Sequence, residues 1–172
     1  VADYACLIAE AVGVSEPDLT WFRMGAFLHD VGKTEVPEEI LNKPGRLTDE
    51  ERVVMERHTV VGDEMLSTIE FPWDIRPMVR SHHERWDGNG YPDKLSGDTI
   101  PYVARILKIA DVFDALTSTR SYRKPLSPED AFAIMEEDLG AYDPSLFEKF
   151  RELLSTVAGM MGSNSGSTSD AV

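Results

Sequence analysis

A chain of 172 residues, 42% hydrophobic and 28% charged, has the size and mix of one soluble globular domain with a substantial core. Its 17 Lys+Arg against 31 Asp+Glu leave a net charge of −14, which excludes a broad basic stripe and hence a DNA partner, while a few local cations or metal ions can still hold a small anion. No apolar run approaches the roughly 18 residues of a membrane span and no signal peptide is visible, so no direct membrane insertion is expected; the single Cys6 excludes an internal disulfide and fits a reducing, cytoplasmic setting.

Helical periodicity dominates, and no run alternates as a strand would. Val1, Tyr4, Ile8, Ala11 and Val12 form an apolar stripe closed by Gly13, with Cys6 read as buried filler on that face. Ser15-Glu16-Pro17 restarts a helix that runs to His29-Asp30, where Gly32 stops it. Lys33 to Leu47, with Pro37, Pro44 and Gly45, reads as a loop holding one short helical turn. Thr48 and Glu51 form a capping box for a helix carrying His58. A helix from about Ile75 to Arg85 delivers His82 and His83, and a Gly- and Pro-rich turn spans Asp87 to Pro101. Pro101 opens a helix to about Thr117; Ser127-Pro128 and Asp143-Pro144 cap two more. Residues 1–154 are expected to form one all-α helical bundle with a metal site in its core, and 155–172 a flexible Ser/Gly-rich tail.

The polar residues inside these apolar helices carry the chemistry. His29-Asp30 ends an apolar helix, where the bland reading is a helix-terminal histidine with a capping acid. Lys33 follows one turn later and could face a phosphate or complement the helix end. His58 lies among Val54, Met55 and Val61, as a core histidine often does. Asp111 interrupts the run Ile106 to Phe113, where a carboxylate is costly unless paired with an arginine or bound to metal. Taken together, the pattern is HD, H, HH and D on four helices, which is how bundles build polynuclear sites. Imidazole and carboxylate without thiolate suit Zn, Mn, Fe or Ni. Two adjacent imidazoles on a helix point roughly 100° apart. They would each serve a different ion, with Asp30 the natural bridge.

HDVGK at 29–33, MERH at 55–58, HHERWDGNGYP at 82–92, IADVFDALTS at 109–118 and RSYRKPLS at 120–127 resemble the HD-GYP family of bacterial phosphodiesterases of the HD superfamily, which open cyclic di-GMP. The resemblance runs from Val1 to about Leu154. It implies metal ligands at His29, Asp30, His58, His82, His83 and Asp111, with Asp30 bridging two of two or three divalent transition-metal ions, Fe or Mn ahead of Zn or Ni. A water or hydroxide bridging the ions would be the nucleophile, and Asp30 and Lys33 are the catalytic residues it implies. Lys33, Gly90, Tyr91, Arg120 and Arg123 are its substrate-binding residues. The expected products are a linear dinucleotide and then GMP. The resemblance further implies a GGDEF-domain contact through the 88–92 loop and an upstream sensory or receiver domain.

Two rival readings stand beside it. One is an HD phosphohydrolase acting on another nucleotide, which leaves the GYP segment and RSYR unexplained; the other is a non-catalytic module that binds metal or nucleotide and acts through partners. The family pattern also places a further ligating histidine four residues before Val1. The first helix is therefore expected to be incomplete, and the metal content of this chain reduced.

Overall fold

The computed structural model describes residues 1–119 and 124–164, and within these every regular element is a helix. The chain order is α1 (Ala2–Ala11), α2 (Glu16–Leu28), a 3₁₀ turn at Val31–Glu35, α3 (Glu38–Leu41), α4 (Asp49–Glu56), α5 (His58–Leu66) and α6 (Arg76–Ser81). Then come α7 (Tyr102–Thr117), α8 (Pro128–Glu136), α9 (Pro144–Glu152) and α10 (Leu154–Asn164), with short 3₁₀ turns at Gly97–Thr99 and Leu139–Ala141. None of these helices is long and apolar enough to cross a membrane.

Local chemistry sets most helix starts. At α4 the Thr48 hydroxyl accepts from the Glu51 N–H while the Glu51 carboxylate accepts from the Thr48 N–H, the reciprocal capping box the sequence predicts. Ser127 caps α8 by accepting from Asp130 N–H, and Asp143 caps α9 by accepting from Ser145 and Leu146. Asp143 also takes Arg105 Nη1 at 2.9 Å, which ties the start of α9 to α7.

The core forms around α7. Ile106, Leu107, Ile109, Ala110 and Phe113 are fully enclosed by α1 (Ala5, Ile8, Ala9), α2 (Phe22, Ala26), α8 (Met135) and α9 (Leu146, Phe150). Phe113 sits edge-on to Tyr4 and to Phe150, with centroids 5.1 and 5.0 Å apart, the arrangement aromatic quadrupoles favour. A smaller apolar cluster of Leu66, Ile75 and Val79 joins α5 to α6. Cys6 is buried in the main core, as expected of filler.

Four boundaries differ from the sequence reading. Helix α2 ends at Leu28, and Gly32 lies inside the 3₁₀ turn that follows. The helix expected to carry His58 is broken at Arg57, so His58 opens α5. Helix α6 stops at Ser81, leaving His82 as its cap and His83 beyond it. Helix α10 occupies the start of the stretch read as a tail, because Val157 finds a buried place in the core. A hydrophobic residue with somewhere to pack overrides the surrounding Gly and Ser.

Candidate metal centre

Three histidines are placed by the same local device. His29 caps α2 and its Nδ1 lies 2.7 Å from the Ala26 carbonyl; His58 begins α5 with Nδ1 2.7 Å from Met55 O; His82 caps α6 with Nδ1 2.8 Å from Val79 O. A carbonyl can only accept, so each Nδ1 carries the proton and donates it three residues back. The tautomer follows, and in the neutral ring Nε2 keeps a free lone pair pointing inward.

Those three Nε2 atoms converge on one carboxylate. Asp30 Oδ1 lies 3.3 Å from His58 Nε2 and 3.6 Å from His82 Nε2, and Asp30 Oδ2 lies 3.4 Å from His29 Nε2. His29 Nε2 is also 3.6 Å from Asp111 Oδ1, delivered by α7. The three Nε2 atoms and Asp30 Oδ1 are buried and have no hydrogen-bond partner. Four buried acceptors facing one another repel, and each forfeits a hydrogen bond to water, so the arrangement needs a cation at its centre. Two donors about 2.1 Å from a common ion and about 90–110° apart stand about 3.0–3.4 Å from each other, close to the separations seen. The donor set therefore fits a divalent transition metal.

The titration pattern agrees. Burial works against charge on His29, but Asp111 and Asp30 together lift its pKa to about 9. Burial likewise opposes charge on Asp30, yet His29, His58 and His82 hold it far below the usual carboxylate range. Burial holds His82 and His83 below their ordinary value, His83 well below, so both offer neutral imidazoles. The two carboxylates thus favour positive charge at His29 against the effect of burial, as they would favour a cation in the cluster.

Asp30, His58, His82 and His83 can each bring a ligand atom within 4.8 Å of the others. Adjacent histidines diverge within one helix, but His82 and His83 are not inside one. Both lie past the last residue of α6, with ring centroids 4.2 Å apart and planes tilted by 45°. Asp30 presents one oxygen to His58 and His82 and the other to His29 and Lys33, whose Nζ is 2.6 Å from Oδ2. Four histidines thus surround the Asp30 carboxylate, Asp111 joins them through His29, and Lys33 stands at the edge.

The 88–92 loop borders this cluster. Tyr91 lies flat on His83, centroids 4.8 Å apart and planes 19° from parallel, and its peptide bond to Pro92 is cis. Gly90 passes so close to the backbone of His83, Glu84 and Arg85 that any side chain would strike it. Arg120 and Arg123 lie outside the described residues.

Glu84 was not singled out from the sequence. It is 2% exposed, and its carboxylate accepts the backbone N–H groups of Asp93 and Leu95 at 2.7 and 3.1 Å. It holds the exit of the loop. The signal available was an acidic residue directly after two candidate ligands, whose partners nine and eleven residues on belong to an irregular segment.

The HD domain family matches residues 1–146. The chain is 43% identical over 143 residues to the cyclic di-GMP phosphodiesterase response regulator RpfG of Xanthomonas campestris, covering 81% of this chain and 38% of that protein. It is 39% identical over 155 residues to the 3′3′-cGAMP-specific phosphodiesterase 3 of Vibrio cholerae, covering 90% and 34%. It thus spans little more than a third of these relatives. A solved HDG"Y"P protein from Bdellovibrio bacteriovorus superposes with a TM-score of 0.72 at 20% identity, over 90% of this chain and 50% of that one, which is a likeness of fold.

Proposed function

Because the chain belongs to the HD domain family, of the HD-GYP type that its motifs resemble, we propose that it is a metal-dependent phosphodiesterase of cyclic dinucleotides and that its substrate is cyclic di-GMP. The observation that carries the reading is the set of buried, partnerless acceptors: three histidine Nε2 atoms and one Asp30 oxygen. The choice of cyclic di-GMP rests on the family resemblance of the motifs; relatives named for cyclic di-GMP are 43% and 42% identical and relatives named for 3′3′-cGAMP 41% and 39%.

In this reading His29, Asp30, His58, His82, His83 and Asp111 hold two or three divalent ions, Fe or Mn in preference to Zn or Ni. When bound, such ions supply Lewis acidity toward a phosphoryl oxygen and lower the pKa of water. The chain's own residues do the rest. Asp30 offers its two oxygens to separate groups of donors, as a bridge requires. Lys33, ion-paired to Asp30, keeps a cation where the scissile phosphate gains charge, and a charge-assisted hydrogen bond there strengthens as that charge builds. Tyr91 borders the substrate beside His83, and Gly90 lets the loop approach closely. Arg120 and Arg123 would hold substrate phosphate, local cations in a chain of net charge −14. Hydrolysis gives the linear dinucleotide and then GMP. An upstream sensory or receiver module goes with a relative named as a response regulator. The GGDEF contact through the loop follows from the family resemblance, and the cytoplasmic setting from the single Cys6.

The test is elemental analysis followed by product chromatography on cyclic di-GMP, 3′3′-cGAMP and cyclic di-AMP, with Mn- or Fe-loaded protein under reducing conditions. Linear product formed fastest from cyclic di-GMP supports the full reading. Faster opening of another of the three corrects the substrate, and no product from any metal-replete sample leaves a non-catalytic binding module.

A further inference from the structure

Tyr91 N–H donates to the His83 carbonyl at 3.4 Å, and groups outside the cluster hold the residues that follow it. Two residues after it, Asp93 is held twice. Its backbone N–H donates to Glu84, and its carboxylate takes Arg80 in a two-pronged pair, Nε to Oδ2 at 2.8 Å and Nη2 to Oδ1 at 2.9 Å. Arg80 also reaches back, with Nη1 3.2 Å from Asp63 Oδ2, while Arg76 Nε lies 2.8 Å from Asp63 Oδ1. Asp63, only 9% exposed, is on α5, the helix that begins at His58. Arg80 is in the last turn of α6, two residues before His82.

From this geometry we infer that Arg80 and Asp93 are positioning residues for the reaction. The Asp63–Arg80–Asp93 chain locks α5, α6 and the 88–92 loop into one frame and thereby fixes the Tyr91 ring on His83. The inference rests on the phosphodiesterase reading for its catalytic consequence, though not for its geometry. A two-pronged guanidinium–carboxylate pair fixes direction as well as distance, which a single-point contact does not. A misplacement of about 1 Å in a group that borders substrate can cost up to about 100-fold in rate.

Asp93→Asn keeps the shape of the side chain and the backbone bond to Glu84 while removing the ion pair. Arg80→Lys keeps a charge without the fork. Each is compared with wild type and with Tyr91→Ala for bound metal per chain, kcat and KM on cyclic di-GMP, and the four histidine ring resonances of the zinc-loaded protein by NMR. Expected are unchanged metal, kcat down about tenfold in Asp93→Asn and less in Arg80→Lys, and one histidine signal moved toward its place in Tyr91→Ala. In the Tyr91→Ala background, Asp93→Asn should add nothing further, because the ring it positions is gone. Fully additive losses, or a wild-type histidine spectrum in Asp93→Asn, would overturn the inference. A moved histidine signal in a protein that opens no cyclic dinucleotide leaves the positioning role standing and removes the functional reading instead.

Discussion

Around Phe113 and around Asp30 the chain encloses side chains of opposite kind, and α7 contributes to both. At Phe113, α7 meets α1 and α9 through rings and aliphatic groups that need nothing but contact. Two residues earlier, on the other face of the same helix, the Asp111 carboxylate faces His29 and the cluster around Asp30, where buried acceptors look at acceptors. The first region is complete once the chain folds. The second is complete only with a cation, so it should hold little of the stability in the absence of metal and much of it in its presence.

The sharpest way to break that contrast is Asp30→Ala. Loss of a group that merely orients a ligand costs roughly 10–100-fold in metal affinity or activity, so loss of the carboxylate that faces three imidazoles should cost at least about 100-fold in both. Metal at about 100 times its Kd stabilises wild type by about 2.7 kcal/mol. Melting curves of wild type with and without chelator should therefore differ, while those of Asp30→Ala should coincide. Unchanged bound metal per chain in the variant would end the assignment of Asp30.

Phe113→Ala tests the other region. A cavity at a fully buried aromatic should cost about 3–5 kcal/mol of unfolding free energy, with metal per folded chain unaltered. A loss of metal in proportion to stability would show that the two regions are not separable.

A smaller effect distinguishes proton from metal. His29 has its pKa raised to about 9 by Asp111 and Asp30 against the opposing effect of burial, so its charged form contributes stability that is fully present below about pH 6.5. That contribution is lost as pH rises through about 9. Denaturation of metal-free protein should show stability declining across this window, and metal-loaded protein should show no such decline. Parallel pH profiles would mean that His29 is not where the cation sits.

The smallest change is remote from both regions. Thr48→Ala removes an exposed helix cap and should cost about 1 kcal/mol with metal and activity intact.

What could be read from the sequence divides along similar lines. The caps at Thr48, Ser127 and Asp143 were legible because donor and acceptor lie within three residues of each other. The all-α architecture was legible from periodicity. The gathering of His29, Asp30, His58, His82, His83 and Asp111 was expected from motif order, and the structure brings all six together. The break at Arg57 and the end of α6 at Ser81 were not legible, since Arg, His and Ser continue a helix about as readily as they end one. Glu84 and the Asp63–Arg80–Asp93 chain were missed because their partners are nine to seventeen residues away through segments without a period.

Gly32 bears on which ions the cluster can accept. It sits in the 3₁₀ turn where an added side chain would collide with the His58 carbonyl and the Gly62 nitrogen, so two stretches of main chain lie in direct contact there. How closely the turn after Asp30 approaches the start of α5 is thus limited by main chain resting on main chain, and Asp30 Oδ1 lies 3.3 Å from His58 Nε2 across that approach. Side-chain substitution nearby can do little to widen or narrow it. In the proposed metal-bound protein a different ionic radius would be taken up on the opposite side, where α7 delivers Asp111 to His29. Exchanges of Ala110 or Val112, the neighbours of Asp111, are therefore where tolerance for one metal over another should drift, while Gly32 holds the other jaw still.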